Sequence, residues 1–299
     1  MQLATYPKAL RIFLSIFLAI ASFFCEIFGM PALPHGKLVD MDKFELVWSD
    51  EFDGDTLDET KWDDHGGEKN RDASGTFIRK GSYWNKKMCS VYDGNLHIRT
   101  EYYPDGFEGN GKPGWYTSGI DTTNRFSQCG GYYECRCILP KGTGLWSAFW
   151  IYCKSVGSIG NGGVDGAEID IYESAKYHLG KNYRNSVSSA IHYDGYGDAH
   201  QSTTVHWTKV IDNNPYEEFN TYALEWNEKE YIFYINGIKV GKSDFGGTSQ
   251  VPENLILSVE VGGENAVPDH SWAGDSIETN TEPPTDFIVD YVRVYQYKY

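Results

Sequence analysis

From about residue 40 onward the chain is broken every few residues by Gly, Pro, Asn or Asp. Between the breaks lie short runs rich in Val, Ile, Tyr, Phe and Trp. The clearest are FELVWSDEF, GNLHIRTEY, GGYYECRCILP, GLWSAFWIY, EIDIYE, SVSSAIHYD, FNTYALEW, YIFYINGIKVGK, NLILSVEVGG and DFIVDYVRVYQY. None keeps a 3.6-residue apolar period over a helical length, so these read as strands. Asn236-Gly237, set between YIFYI and IKVGK, is the sharpest local signal: both residues readily take positive φ, which closes a two-residue hairpin. Many strands at short spacing predict an all-β domain, a sandwich or a barrel. No repeat, linker or appended module interrupts residues 35–299, which read as one domain.

The first thirty residues stand apart. Lys8 and Arg11 precede the apolar run IFLSIFLAIASFF (12–24), the order of a secretory signal, with the cut expected between Ala21 and Pro34. At about 13 residues the run falls short of the ~20 needed to span a bilayer, so no stable membrane insertion is expected after cleavage. Cys25 lacks the small preceding residues of a lipidated cysteine. The remaining cysteines, Cys89, Cys129, Cys135, Cys137 and Cys153, are odd in number and irregularly spaced, which gives no disulfide framework and no zinc motif. Cys135 and Cys137 share one face of a strand and read as small core residues. A formal charge of −16 repels phosphate backbones, so nucleic acid is excluded as a partner and a neutral ligand is expected.

The segment GAEIDIYES (166–174) crowds three carboxylates, Glu168, Asp170 and Glu173, among apolar neighbours. Alternation on a strand puts Glu168 and Asp170 on one face and sends Glu173 to the other. One extra residue, a β-bulge, returns Glu173 to the face of its partners. The two glutamate Cα atoms then lie ~13 Å apart, and side chains that lean together bring the carboxyls within about 5–5.5 Å, the spacing of a retaining glycosidase pair. Such a pair flanks a glycosidic bond: one carboxylate attacks the anomeric carbon and the other, its pKa raised by repulsion, protonates the leaving oxygen. Asp170, between them, shares a proton with the nucleophile and tunes both. An acidic calcium loop is the competing reading, but Ile169, Ile171 and Tyr172 suit a strand better than a metal loop.

A bare ExDxxE arises by chance in roughly one chain in ten of this acid content, so context must carry the assignment. Upstream, GLWSAFWIY alternates Trp146, Ala148 and Trp150 onto one face and Phe149 and Ile151 onto the other. Two tryptophans on one face serve as core or as a platform for sugar rings, whose C–H faces stack on indole.

Taken with LVWSDEFDG and Trp62, DGNLHIRT (93–100), TSGIDTTNRF (117–126), GGYYECRCILPKGTGLWSAFWIY (130–152), AIHY (190–193), FNTYALEW (219–226), LILSVEVGG (255–263) and VDYVRVYQ (289–296), the chain resembles glycoside hydrolase family 16. That family groups laminarinases, lichenases, agarases and related enzymes. The resemblance implies a β-sandwich jelly roll (concanavalin A-like) of two curved antiparallel sheets with a concave substrate cleft. It implies Glu168 as nucleophile, Glu173 as general acid/base and Asp170 as the assisting carboxylate, in the bulged branch that includes laminarinases. It places His192 beside the trio, Trp146, Trp150 and Trp226 in the cleft, and Trp115 either as a cap on the cleft or as a seal on the sandwich edge. Trp48 and Trp62 look structural. It further implies a structural calcium held by the carbonyls of Glu51 and Gly94 and the side chain of Asp290, with no cofactor required for the chemistry.

The expected function is a secreted, monomeric endo-β-glucanase acting on neutral β-1,3 or mixed β-1,3/1,4 glucan. The alternatives are an agarase-like galactan hydrolase on the same scaffold, a transglycosylase, and a noncatalytic glucan-binding protein that the intact carboxylate trio disfavours.

Overall fold

The computed structural model describes residues 7–66, 71–79, 81–180, 183–264, 266–268 and 285–298. The catalytic candidates lie in an antiparallel sheet of seven strands among the described residues. Its order is β13 (Gln201–Lys209), β12 (Ser186–Tyr193), β11 (Glu168–Glu173), β10 (Leu145–Tyr152), β17 (Asn254–Val261), β8 (Gly119–Asp121) and β2 (Asp63–Asp64). The facing sheet has eleven strands among the described residues. Its spine runs β16 (Ile238–Ser243), β15 (Tyr231–Ile235), β14 (Asn220–Trp226), β9 (Gly131–Ile138), β18 (Thr285–Tyr297), β6 (Asn95–Tyr103), β7 (Gly114–Thr117), β4 (Ser82–Asn85) and β3 (Thr76–Arg79). β1 (Phe44–Asp50) adds to β18 and β5 (Cys89–Tyr92) to β6. The pairing of β4 with β7 is parallel; the other pairings are antiparallel.

Side-chain alternation builds the core between the two sheets. In β10, Leu145, Ser147, Phe149 and Ile151 are buried while Trp146 and Trp150 stay partly exposed. In β9, Tyr133, Cys135 and Cys137 turn inward and Glu134 and Arg136 outward. Phe149, Ile169 and Tyr172 from one sheet meet Tyr222, Leu224, Phe233 and Phe287 from the other in a single cluster. All six cysteines are free, Cys135 and Cys137 among that cluster. The Asn236-Gly237 turn closes β15 onto β16 with φ of 49° and 73°, the two left-handed residues that a type I′ hairpin requires.

The N-terminal segment is a twenty-residue helix, α1 (Lys8–Ile27), longer than its continuous apolar run. It extends through Cys25 and Glu26, and its Ala9–Ile27 stretch, with mean hydropathy 2.1, is long and apolar enough to cross a membrane. The expectation that this segment is too short to span is therefore revised; a signal sequence meets the same description. Leu18 tucks against Ile238, Leu33 and Ile211, while Phe13, Phe17, Phe23 and Phe24 remain exposed.

Candidate active site

The bulge is present, and Ile171 is the extra residue. Against β10, Asp170 faces Trp150 and Tyr172 faces Phe149, so Ile171 has no opposite number. Against β12, Asp170 faces Ala190 and Glu173 faces Ser188, which leaves Ile171 and Tyr172 together opposite Ser189. Both of those residues enter the core. Glu173 is thereby returned to the face that carries Glu168 and Asp170. Cross-strand partners extend that face in three rows: His192 and Glu168; Ala190, Asp170, Trp150, Ile256 and Asp121; Ser188, Glu173, Ala148, Ser258 and Gly119.

The trio lies in a polar surround. Asp170 Oδ2 is 3.3 Å from His192 Nε2, and His192 Nδ1 is 3.0 Å from His200 Nε2, the two rings nearly parallel at 8°. Tyr196, more than half exposed on the β12–β13 loop, donates its hydroxyl to Glu168 Oε2. Burial, reinforced by the Glu168 charge, holds the Asp170 carboxyl well above the usual carboxylate range. Burial also raises Glu173, with Asp170 and Glu168 adding to the shift and His192 and Lys176 opposing it. The arrangement can therefore present a protonated acid at Glu173 on the same surface as Glu168. Glu168, Asp170 and His192 also bring three ligand atoms within 4.8 Å of one another, near enough to share a cation.

Toward β17 the same face becomes aromatic and charged. Trp150 donates from Nε1 to Ser258 Oγ at 3.1 Å, and His65 meets it edge-on at 5.4 Å between centroids. His65 Nδ1 is 2.7 Å from Asp121 Oδ2. Arg79 donates to Glu260 Oε1 from Nε at 2.7 Å and lies over the Trp84 ring. Trp146, the cross-strand partner of Glu260, is partly exposed on this face.

Two expected cleft aromatics are elsewhere. Trp226 belongs to β14 of the opposite sheet, where alternation turns it inward with Tyr222 and Leu224; it is 1% exposed and packs on Tyr133 and Tyr231. It is a core residue. Trp115 is 2% exposed and buried with Leu145, Val261 and Ala266, so it seals an edge of the sandwich rather than capping the cleft. Trp62 is fully buried, donates to Asp50 Oδ2 at 2.8 Å and packs against Trp48.

The calcium set fits poorly. Its one anionic side chain, Asp290, already accepts from Arg136, and the Glu51 side chain is held by Arg293 at 2.9 and 2.7 Å. An ion at Asp290 would compete with a guanidinium.

Several site residues carried no sequence signal strong enough to single them out. Tyr196 is one of 22 tyrosines, marked only by the flanking Gly195 and Gly197. His200 is remote from AIHY and arrives by the loop. Glu253, in QVPENL, is fully buried beneath the start of β11; its Oε1 accepts from the Ala167 amide at 3.1 Å, next to Glu168.

A family model described as beta-porphyranase A-D, GH16 domain, matches residues 44–297. The chain is 30% identical to a keratan-sulfate endo-1,4-beta-galactosidase of Sphingobacterium multivorum, covering 85% of this chain and 55% of that protein. It is 28% identical to glucan endo-1,3-beta-glucosidase A1 of Niallia circulans, covering 84% and 38%. The chain thus spans about half or less of the length of these relatives. Among solved structures, the laminarinase catalytic domain of Thermotoga maritima superposes with a TM-score of 0.65 at 27% identity, covering 86% of this chain and all of that one. A two-sheet sandwich matched over nearly its whole length, with family-type sequence along 44–297, places the chain in glycoside hydrolase family 16.

Proposed function

We propose that the protein is a retaining endo-β-glucanase that cleaves internal β-1,3 or mixed β-1,3/1,4 linkages of a neutral glucan. The observation that carries this reading is the bulge at Ile171, which brings Glu168 and Glu173 to one face with Asp170 between them. Glu173 gives its proton to the glycosidic oxygen as the Glu168 carboxylate attacks the anomeric carbon; the C–O bond to the leaving sugar breaks and a glycosyl ester forms on Glu168. Glu173, now ionised, takes a proton from water, which attacks the same carbon and frees Glu168, with net retention. Asp170, its carboxyl kept protonated by burial, sits on the same face between the two glutamates and beside His192, where it limits the charge around the nucleophile. Trp150 and Trp146 offer indole faces to the rings of the bound chain.

The glucan assignment draws on the glucosidase and laminarinase relatives. A galactan is the second reading, favoured by the porphyranase-type profile and by the likeness to a keratan-sulfate endo-1,4-beta-galactosidase. Export by the N-terminal segment, a monomeric state and chemistry without a cofactor belong to the same proposal. Product profiling on laminarin, barley glucan, agarose and keratan sulfate tests it. Laminari-oligosaccharides released with retained anomeric configuration are expected. Cleavage confined to the galactans would overturn the glucan assignment, and inverted products would overturn the mechanism.

A further inference from the structure

The bulge that delivers Glu173 needs something to hold it, because an extra residue leaves the ladder irregular on both sides. The holding group is on β12. Ser189, fully buried and opposite the bulge, donates its hydroxyl to the Ile171 carbonyl at 2.7 Å. The same Oγ lies 2.8 Å from His206 Nε2 on β13. With the hydroxyl proton directed to Ile171, the imidazole must supply the other, so His206 is the neutral tautomer with its proton on Nε2. Its Nδ1 is then a bare acceptor, and that atom is buried with no partner among the described residues. Burial pushes the His206 pKa down to about 3, which keeps the ring neutral across the working range.

Ser189 also stands beside a second irregularity. It faces His206 while Ala190 faces Thr204, so Val205 is an extra residue on β13. Two bulges on neighbouring strands thus flank a single hydroxyl. The imidazole is wedged in place: it meets Phe233 edge-on, and a Cβ at Gly241 would come within 3.0 Å of His206 Cδ2.

We propose that His206 and Ser189 form a positioning relay, imidazole N–H to hydroxyl to the Ile171 carbonyl, that fixes the bulge and so sets the reach of Glu173 toward Glu168. The proposal rests on the double-displacement reading above for its catalytic consequence, but the relay itself is independent of turnover. Neither residue touches substrate. Their influence passes through the backbone to a carboxyl that faces Glu168 and Asp170 on its own strand, His192 on β12 and Lys176 beyond the strand end.

The test compares Ser189→Ala with Ser189→Thr, which keeps the hydroxyl, and His206→Leu with His206→Gln, which keeps an N–H donor. Ser189→Ala is expected to lower kcat by about tenfold to a hundredfold with KM within about twofold, the scale of an ångström-sized misplacement of a reacting group. The alkaline limb of its kcat/KM profile should move to lower pH as Glu173 loses part of its burial. Ser189→Thr should restore both. Peptide-level hydrogen exchange over 168–175 should rise in Ser189→Ala and His206→Leu and stay native in His206→Gln. Native exchange over that segment in both deletion variants overturns the relay, whether or not the enzyme turns over any glycan. An unshifted pH limb in an active Ser189→Ala enzyme overturns its catalytic consequence.

Discussion

Replacing Glu253 by Gln isolates what it costs to keep a carboxyl under the catalytic strand. Burial raises the Glu253 pKa from 4.5 to about 8, against the lowering effect of hydrogen bonds from Ser249, the Ala167 amide and Cys153. The sign follows from proton counting. Between the two values the folded chain holds a proton that the unfolded chain releases, so stability falls as pH rises through that window. At about 1.4 kcal/mol per pH unit, the deficit reaches about 3 kcal/mol at pH 7 and about 5 kcal/mol above pH 8. Glutamine keeps an acceptor for the Ala167 amide and cannot ionise. The variant should match the native protein near pH 4 and exceed it by about 3 kcal/mol at pH 7, a rise of about 2–4 °C in Tm per kcal/mol for a domain of this size. Urea unfolding followed by tryptophan fluorescence at intervals from pH 4 to 9 measures the gap directly. A gap that does not change with pH refutes the reasoning.

Three further outcomes are expected. Glu173→Ala should lose activity on polysaccharide yet be rescued by azide on an activated aryl glycoside, giving a β-glycosyl azide; no rescue argues against Glu173 as the acid. Tyr196→Phe removes one hydrogen bond to Glu168 from a half-exposed side chain, worth about 1 kcal/mol. It should lower kcat/KM about three- to tenfold with an unchanged Tm, and native kcat/KM would remove Tyr196 from the site. With Arg136 already paired to Asp290, millimolar chelator should leave both Tm and activity unchanged; a fall in Tm would show that an ion is held there after all.

The strands were legible because their apolar residues alternate between loop-forming breaks, and the bulge was legible because three carboxylates at 168, 170 and 173 make sense on one face only if a residue is added. What pattern alone does not encode is which sheet a strand joins. FNTYALEW and GLWSAFWIY both place tryptophan among alternating apolar residues, yet β14 turns Trp226 into the core and β10 turns Trp150 out toward Asp170. The difference is set by long-range pairing: β14 lies between β9 and β15, β10 between β11 and β17. Loop-borne groups were hidden for a related reason. Tyr196 and His200 reach Glu168 and His192 only because the β12–β13 connection folds back over the face, and no local spacing reports that return. Buried polar partners such as Ser189 and Glu253 look like ordinary residues until the groups they satisfy are in place.

β18 holds the middle of the larger sheet, with β9 along one side and β6 and then β1 along the other. It is also made after every other described strand. Until those thirteen residues emerge, β1 has no strand to pair with and one edge each of β9 and β6 stays unpaired, so the larger sheet stays open along its central seam while the smaller sheet has all its partners.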